Sequence, residues 1–171
     1  MNIRNFTKAD WPYVSELNIK IEPMVGSFYL HVNDYLYNKV NYDLSYTLVK
    51  DDKPVGFLLN REYYINNYLY KPIKELEGVK GLEGLYLVCK DSYMSKYLLK
   101  HAADKLYKNY PYVFCGVMNE LNTHVLWKYY GFKEVNDTSV GFKIYLKYTK
   151  SNPFDRKFES YKLKRFNSFF I

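Results

Sequence analysis

Two apolar runs of strand length, Leu82 to Cys89 and Pro111 to Met118, each lead into a stretch patterned as a helix. The second run is apolar throughout instead of alternating, which is the pattern of a strand buried on both faces. After the first, Met94, Leu98, Leu99, Ala102 and Leu106 form one stripe of a helix over 92–108. After the second, Asn119 to Tyr130 reads as a helix with Asn122 as its cap, stopping at Gly131. This strand, helix, strand, helix succession predicts the α/β (α+β) class.

The flanking segments extend the pattern. Asn2 to Phe6 alternates polar and apolar as a short strand, and Thr7 or Asp10 offers a helix cap. Trp11, Val14, Leu17 and Ile21 then recur at helical spacing, with an end expected before Pro23. A second helix is expected from Tyr29 to Val40. Leu44 to Val49 and Val55 to Tyr64 are β-branched or aromatic and flank Lys50-Asp51-Asp52-Lys53-Pro54, which predicts a hairpin. Residues 65–81 carry Pro72 and two glycines and read as a long loop, a length usually tied to function or insertion. Phe132 to Asn136 and Val140 to Tyr148 make a last strand pair.

Composition narrows the class. The 171 residues suffice for one domain, and 48% apolar with 20% aromatic residues excludes a disordered or collagen-like chain. No run approaches the ~18 apolar residues of a membrane span, and Met1-Asn2-Ile3-Arg4 opens no signal peptide. Two cysteines in apolar strands read as buried inert thiols, and with these features point to the cytoplasm. The 21 tyrosines, with abundant Lys and Asn, use AT-rich codons and suggest a low-GC bacterial or bacteriophage genome, with a virion or host-cytoplasm setting in the latter case. The net charge of +7 is uneven: residues 143–171 hold eight Lys or Arg against Asp155 and Glu159, so +6 of it lies there. Nucleic-acid binding is therefore not expected of the nearly neutral body.

Three segments together resemble the GNAT superfamily of acetyl-CoA-dependent N-acetyltransferases. Asn119 to Val135, with a helix ending Trp127-Lys128-Tyr129-Tyr130-Gly131-Phe132 before a strand, is similar to the family's closing Tyr-x-x-x-Gly-Phe motif. Leu82-Glu83-Gly84-Leu85-Tyr86-Leu87-Val88 resembles its central strand, and Ile3-Arg4 with Thr7-Lys8-Ala9-Asp10 a common opening. The resemblance covers roughly residues 2–148. It implies a mixed, mostly antiparallel sheet with flanking helices and a splayed parallel strand pair that takes the pantetheine arm of coenzyme A. Gly84 would bend the first of those strands. The domain is expected at 1–149, followed by a basic aromatic extension, 150–171.

The same resemblance implies the site. Its cofactor-binding residues would be Leu87, Val88, Lys90, Ser92, Tyr93, Ser95, Asn119 and Asn122, with acetyl-CoA as cofactor. The diphosphate would rest on N–H groups at a helix start, where unpaired donors and the helix dipole favour an anion. The family's loop there is glycine-rich. Here Lys90-Asp91-Ser92-Tyr93-Met94-Ser95 has no glycine: Tyr93 and Ser95, or Ser95 and Tyr97 in a register shifted by two, stand in the glycine places. The motif's tyrosine, often the general acid, is Trp127, whose indole N–H does no proton transfer near neutral pH. Tyr129 and Tyr130 are the neighbouring phenols, on other sides of the helix. Glu83 is the candidate base, its alternative being a strand-face carboxylate with no catalytic task.

Other chemistries lack their patterns. His31, His101 and His124 have no metal-ligand spacing, so no metal site is expected. Nucleotide-loop and nucleophile-elbow motifs are absent from the sequence. The expected partner is an amine-bearing acceptor. The extension, with Asn152-Pro153 as a helix start and Phe166-Asn167-Ser168-Phe169-Phe170-Ile171 at its end, is expected to fold back on the domain or to contact a second copy or another protein, the remaining alternative being an anionic surface, lipid or nucleic acid. A catalytically degenerate GNAT-fold protein that binds partners through this tail is the alternative function.

Overall fold

Asp51 and Asp52 both take positive φ, 49° and 58°, the left-handed pair that matches the twist of a two-residue hairpin turn. They join β2 (Tyr46–Lys50) to β3 (Lys53–Tyr64) in antiparallel register, Lys50 opposite Lys53. Pro54 therefore sits in β3 opposite Val49, not in the turn, and Val55 is the extra residue of a bulge.

The structure, a computed structural model, describes residues 1–25, 36–64, 76, 78–118, 123–138 and 142–149. The remaining elements are β1 (Asn2–Asn5), α1 (Trp11–Val25), β4 (Lys80–Cys89), α2 (Ser92–Lys105), β5 (Tyr112–Met118), α3 (Thr123–Tyr129), β6 (Lys133–Thr138) and β7 (Phe142–Tyr148). They form a seven-stranded sheet in the order β1-β2-β3-β4-β5-β7-β6. The sheet is mostly antiparallel, with β4 and β5 as the parallel pair. This is the mixed sheet with flanking helices expected from the sequence.

Boundaries moved at several places, β6 among them, which runs on to Thr138. Helix α1 runs through Pro23 to Val25. A proline in the last turn forfeits one backbone bond with little helix left beyond it to disrupt. Helix α2 ends at Lys105, three residues early, and a 3-10 turn, Tyr107–Asn109, completes the run. Strand β4 starts at Lys80, two residues before the apolar run. Most of the helix expected from Tyr29 lies outside the described residues, as do 65–75 and the extension from 150.

The chain groups into two compact units, Met1–Arg61 with Gly84–Ala103, and Glu62–Glu83 with Asp104 onward. In the first, Asp10 is 1% exposed and is held by two bonds from Arg4, 2.6 and 2.8 Å, by the Thr7 N–H at 2.9 Å and by the Thr47 hydroxyl at 2.9 Å. The opening Arg4…Thr7…Asp10 is thus a pin that ties β1 and the start of α1 to β2. Behind it Phe6 meets Trp11, Tyr42 and Phe57 ring to ring. Tyr86 of β4 donates to the Asn18 side chain of α1. From the opposite face of β4, Cys89 approaches Gly56 of β3, where an added Cβ would lie 2.6 Å from its sulfur.

In the second unit Leu76, Tyr112, Phe114 and Leu146 form one buried cluster. An added Cβ on Gly81 would lie 2.2 Å from the Tyr112 ring, so only glycine admits that ring, whose hydroxyl donates to Val79 O at 2.6 Å. Helix α3 packs through Trp127, 4% exposed, against Phe132, which also meets Tyr107.

Candidate active site

The start of α2 is built from β4 onward. Lys90 N–H donates to Val55 O at 3.0 Å, which fixes the exit of β4 beside β3. The next residue, Asp91, caps the helix: its Oδ1 accepts from Met94 N–H at 2.8 Å, and its carbonyl accepts from Ser95 N–H at 3.2 Å and the Ser95 hydroxyl at 3.3 Å. An aspartate directly before an apolar-periodic run is a common cap. This signal was available in the sequence. The first turn of a helix has N–H groups without intrahelical acceptors. Here Asp91 holds that of Met94, leaving those of Ser92 and Tyr93 as the first-turn donors an anion could use.

The cofactor-binding residues inferred from sequence fall into different environments. Lys90 and Ser92 are exposed, and Tyr93 is 64% exposed, its ring in solvent. Ser95 is buried and hydrogen-bonds the Cys89 thiol. Leu87 is half-buried and Val88 buried. Asn119 and Asn122 lie outside the described residues.

Trp127 has a structural reason for its place. Gly131 takes φ +83°, its N–H donates to Lys128 O at 2.9 Å, and Phe132 N–H donates to Trp127 O at 3.1 Å. This pair of bonds is the Schellman closure, and the contact between Trp127 and Phe132, with centroids 4.9 Å apart, is the apolar clasp that accompanies it. Lys147 adds a 2.6 Å bond to Tyr130 O at the negative end of the helix, and burial lowers its pKa. Tyr129 is 68% exposed, and Tyr130 is half-buried against it, ring centroids 5.2 Å apart.

Glu83 is half-buried on β4. Burial first, and then the Glu83 charge, push the Cys115 thiol well above its ordinary pKa. Cys89 is pushed to about 12, mainly by burial. Both thiols therefore stay neutral, which leaves carboxylate and imidazole as the proton acceptors near neutral pH. His124 of α3 pairs with the Tyr145 hydroxyl at 3.0 Å, a contact that sequence separation conceals. Among the described residues, no cluster of His, Cys, Asp or Glu could hold a metal ion.

Solved structures share this arrangement along nearly their whole length. A protein called PH1933 from Pyrococcus horikoshii OT3 superposes with a TM-score of 0.64 at 19% identity, over 87% of this chain and 98% of its own. An acetyltransferase from Thermus thermophilus gives 0.63 at 15%, over 86% and 96%. The chain has the GNAT fold. The aminoglycoside 6'-N-acetyltransferase of Enterococcus faecium has the same GNAT fold, with a TM-score of 0.61 at 14% identity over 90% of this chain and 99% of its own. No protein-family model and no curated protein sequence matches the chain.

Proposed function

We propose that the chain is an N-acetyltransferase that moves an acetyl group from acetyl-CoA to an amine. The observation that carries this reading is the GNAT fold, shared over most of the chain with acetyltransferases and combined with a carboxylate, Glu83, on the central strand. Acetyl-CoA supplies a thioester carbonyl open to nucleophilic attack. Lys90 and the N–H groups of Ser92 and Tyr93 are the groups that would hold its diphosphate, by charge and by the helix dipole. They fit that group more weakly than a glycine loop, because Asp91 takes one donor and adds a like charge. Leu87 and Val88 would offer β4 backbone groups to the pantetheine arm. Glu83 would take a proton from the acceptor's ammonium through water, leaving the amine free to attack.

Titration of the full chain with acetyl-CoA tests the first requirement. Saturable heat and a raised melting temperature support it; no heat and no shift at millimolar acetyl-CoA overturn it.

A second reading rests on Asp91 and Trp127, a helix cap and a helix clasp where the family keeps a phosphate cradle and a phenol. In it the GNAT fold serves as a partner-binding module, with residues 150–171 making the contact. Chromatography of the full chain beside a 1–149 truncation tests that contact. Earlier elution of the full chain, beyond its added mass, supports tail-driven assembly, and identical monomeric elution contradicts it.

A further inference from the structure

Polar side chains line up across the strands of the second unit, beyond the residues given roles above. Cys115 of β5 stands opposite Tyr145 of β7, and Tyr145 stands opposite Glu134 of β6. Directly opposed residues share a face of the sheet, so the three form one lateral row. The Glu83 charge also acts on Cys115, whose thiol burial keeps neutral. Tyr145 is 1% exposed, and a buried phenol requires partners for its hydroxyl. It has two: Glu134 and the Nδ1 of His124, the latter at 3.0 Å.

The directions of these bonds follow from chemistry. Burial first, then the Glu134 charge and hydrogen bond, push the Tyr145 pKa to about 12, so the phenol keeps its proton. An ionised carboxylate only accepts, so the Tyr145 proton points to Glu134. The phenol oxygen is then the acceptor for His124, whose Nδ1 must carry a hydrogen. A neutral imidazole has one N–H, so Nε2 is left with its lone pair. Among the described residues no other group engages Nε2, and the ring is half-buried. Lys128, one turn along the same helix, is exposed.

We propose that Glu134, Tyr145 and His124 form a relay that fixes the His124 tautomer and makes its Nε2 a proton-accepting atom of the site. The inference rests on the acetyl-transfer reading for the identity of the proton donor, the acceptor nitrogen, which after Glu83 has taken its first proton must lose a second once it has attacked. In the step, that N–H bond breaks as the amide forms and an Nε2–H bond forms, giving an imidazolium and a neutral amide. The Nδ1–H remains on Tyr145, and the Glu134 carboxylate offsets the new positive charge through the phenol. Tyr145 is a positioning residue in this scheme.

The test has two readouts on the full chain. Long-range proton–nitrogen NMR of the three histidines, with His124→Gln for assignment, reports the tautomer directly. A neutral His124 protonated at Nδ1, shifting toward Nε2–H in Tyr145→Phe, supports the relay; an Nε2–H tautomer in the wild type overturns it. In acetyl transfer from acetyl-CoA to primary amines, His124→Gln is expected to lower kcat at least tenfold with KM little changed. Tyr145→Phe should lower kcat less and displace the acidic limb of the pH profile. An unchanged kcat in His124→Gln overturns the role of His124. With no turnover in the wild type the acetyl-transfer reading falls, and the NMR tautomer alone then decides the relay.

Discussion

Under the proposed function, Asp91 is the residue on which acetyl-CoA affinity would turn. Its carboxylate caps α2 through Met94 N–H, and its charge lies where a diphosphate would approach. Asp91→Ser keeps a capping oxygen and removes the charge, so acetyl-CoA affinity should rise about two- to fivefold, from a dipole-scale term of ~0.3–1 kcal/mol. Titration calorimetry checks this, and a loss of affinity would assign Asp91 the opposite role. Asp10 governs stability instead. Burial pushes its carboxyl up, but the Arg4, Thr7 and Thr47 bonds outweigh burial and hold its pKa below the ordinary value. The unfolded chain therefore binds the proton more readily, so the contribution is present above about pH 4 and is lost as pH falls through the folded pKa. Asp10→Asn should cost about 2 kcal/mol at pH 7. That gap should narrow toward pH 3 in urea unfolding.

Among the elements, α3 depends on how it ends. Gly131 at φ +83° is required by the closure that joins Trp127 to Phe132, and the nearest group to an added Cβ is the Lys147 chain at 3.7 Å. Space is available but the backbone angle is not, so Gly131→Ala should destabilise by about 1 kcal/mol, read as a lowered melting temperature. The Gly-Phe pair was legible in the sequence as a helix stop, and the β2–β3 hairpin was legible from its flanking apolar runs. Pro54 in a strand was not legible, because the left-handed Asp51-Asp52 pair closes the turn without it. The helical start of α2 was legible from its apolar stripe, and Asp91 directly before it was an available cap signal that the bond to Met94 realises. Sequence separation hid the His124–Tyr145 pair, since the two stand 21 positions apart with β6 between their elements. Trp127 could be read only as a departure from a motif until its contact with Phe132 gave it a task.

At the scale of the whole molecule, the fold carries the case for function and three residues qualify it. A GNAT fold shared over most of the chain with acetyltransferases supports the proposed acetyl transfer, while Asp91 at the start of α2, exposed Tyr93 and buried Trp127 weigh toward the second reading. Glu83 on β4 and His124, bonded to Tyr145, are the proposed proton acceptors. The direct measurement is mass-resolved detection of product after the full chain is incubated with acetyl-CoA and a panel of primary amines. An acetylated amine and free coenzyme A are expected in equal amounts, lowered at least tenfold in Glu83→Gln. Acetyl-CoA left intact by a folded wild-type chain across the panel would contradict acetyl transfer.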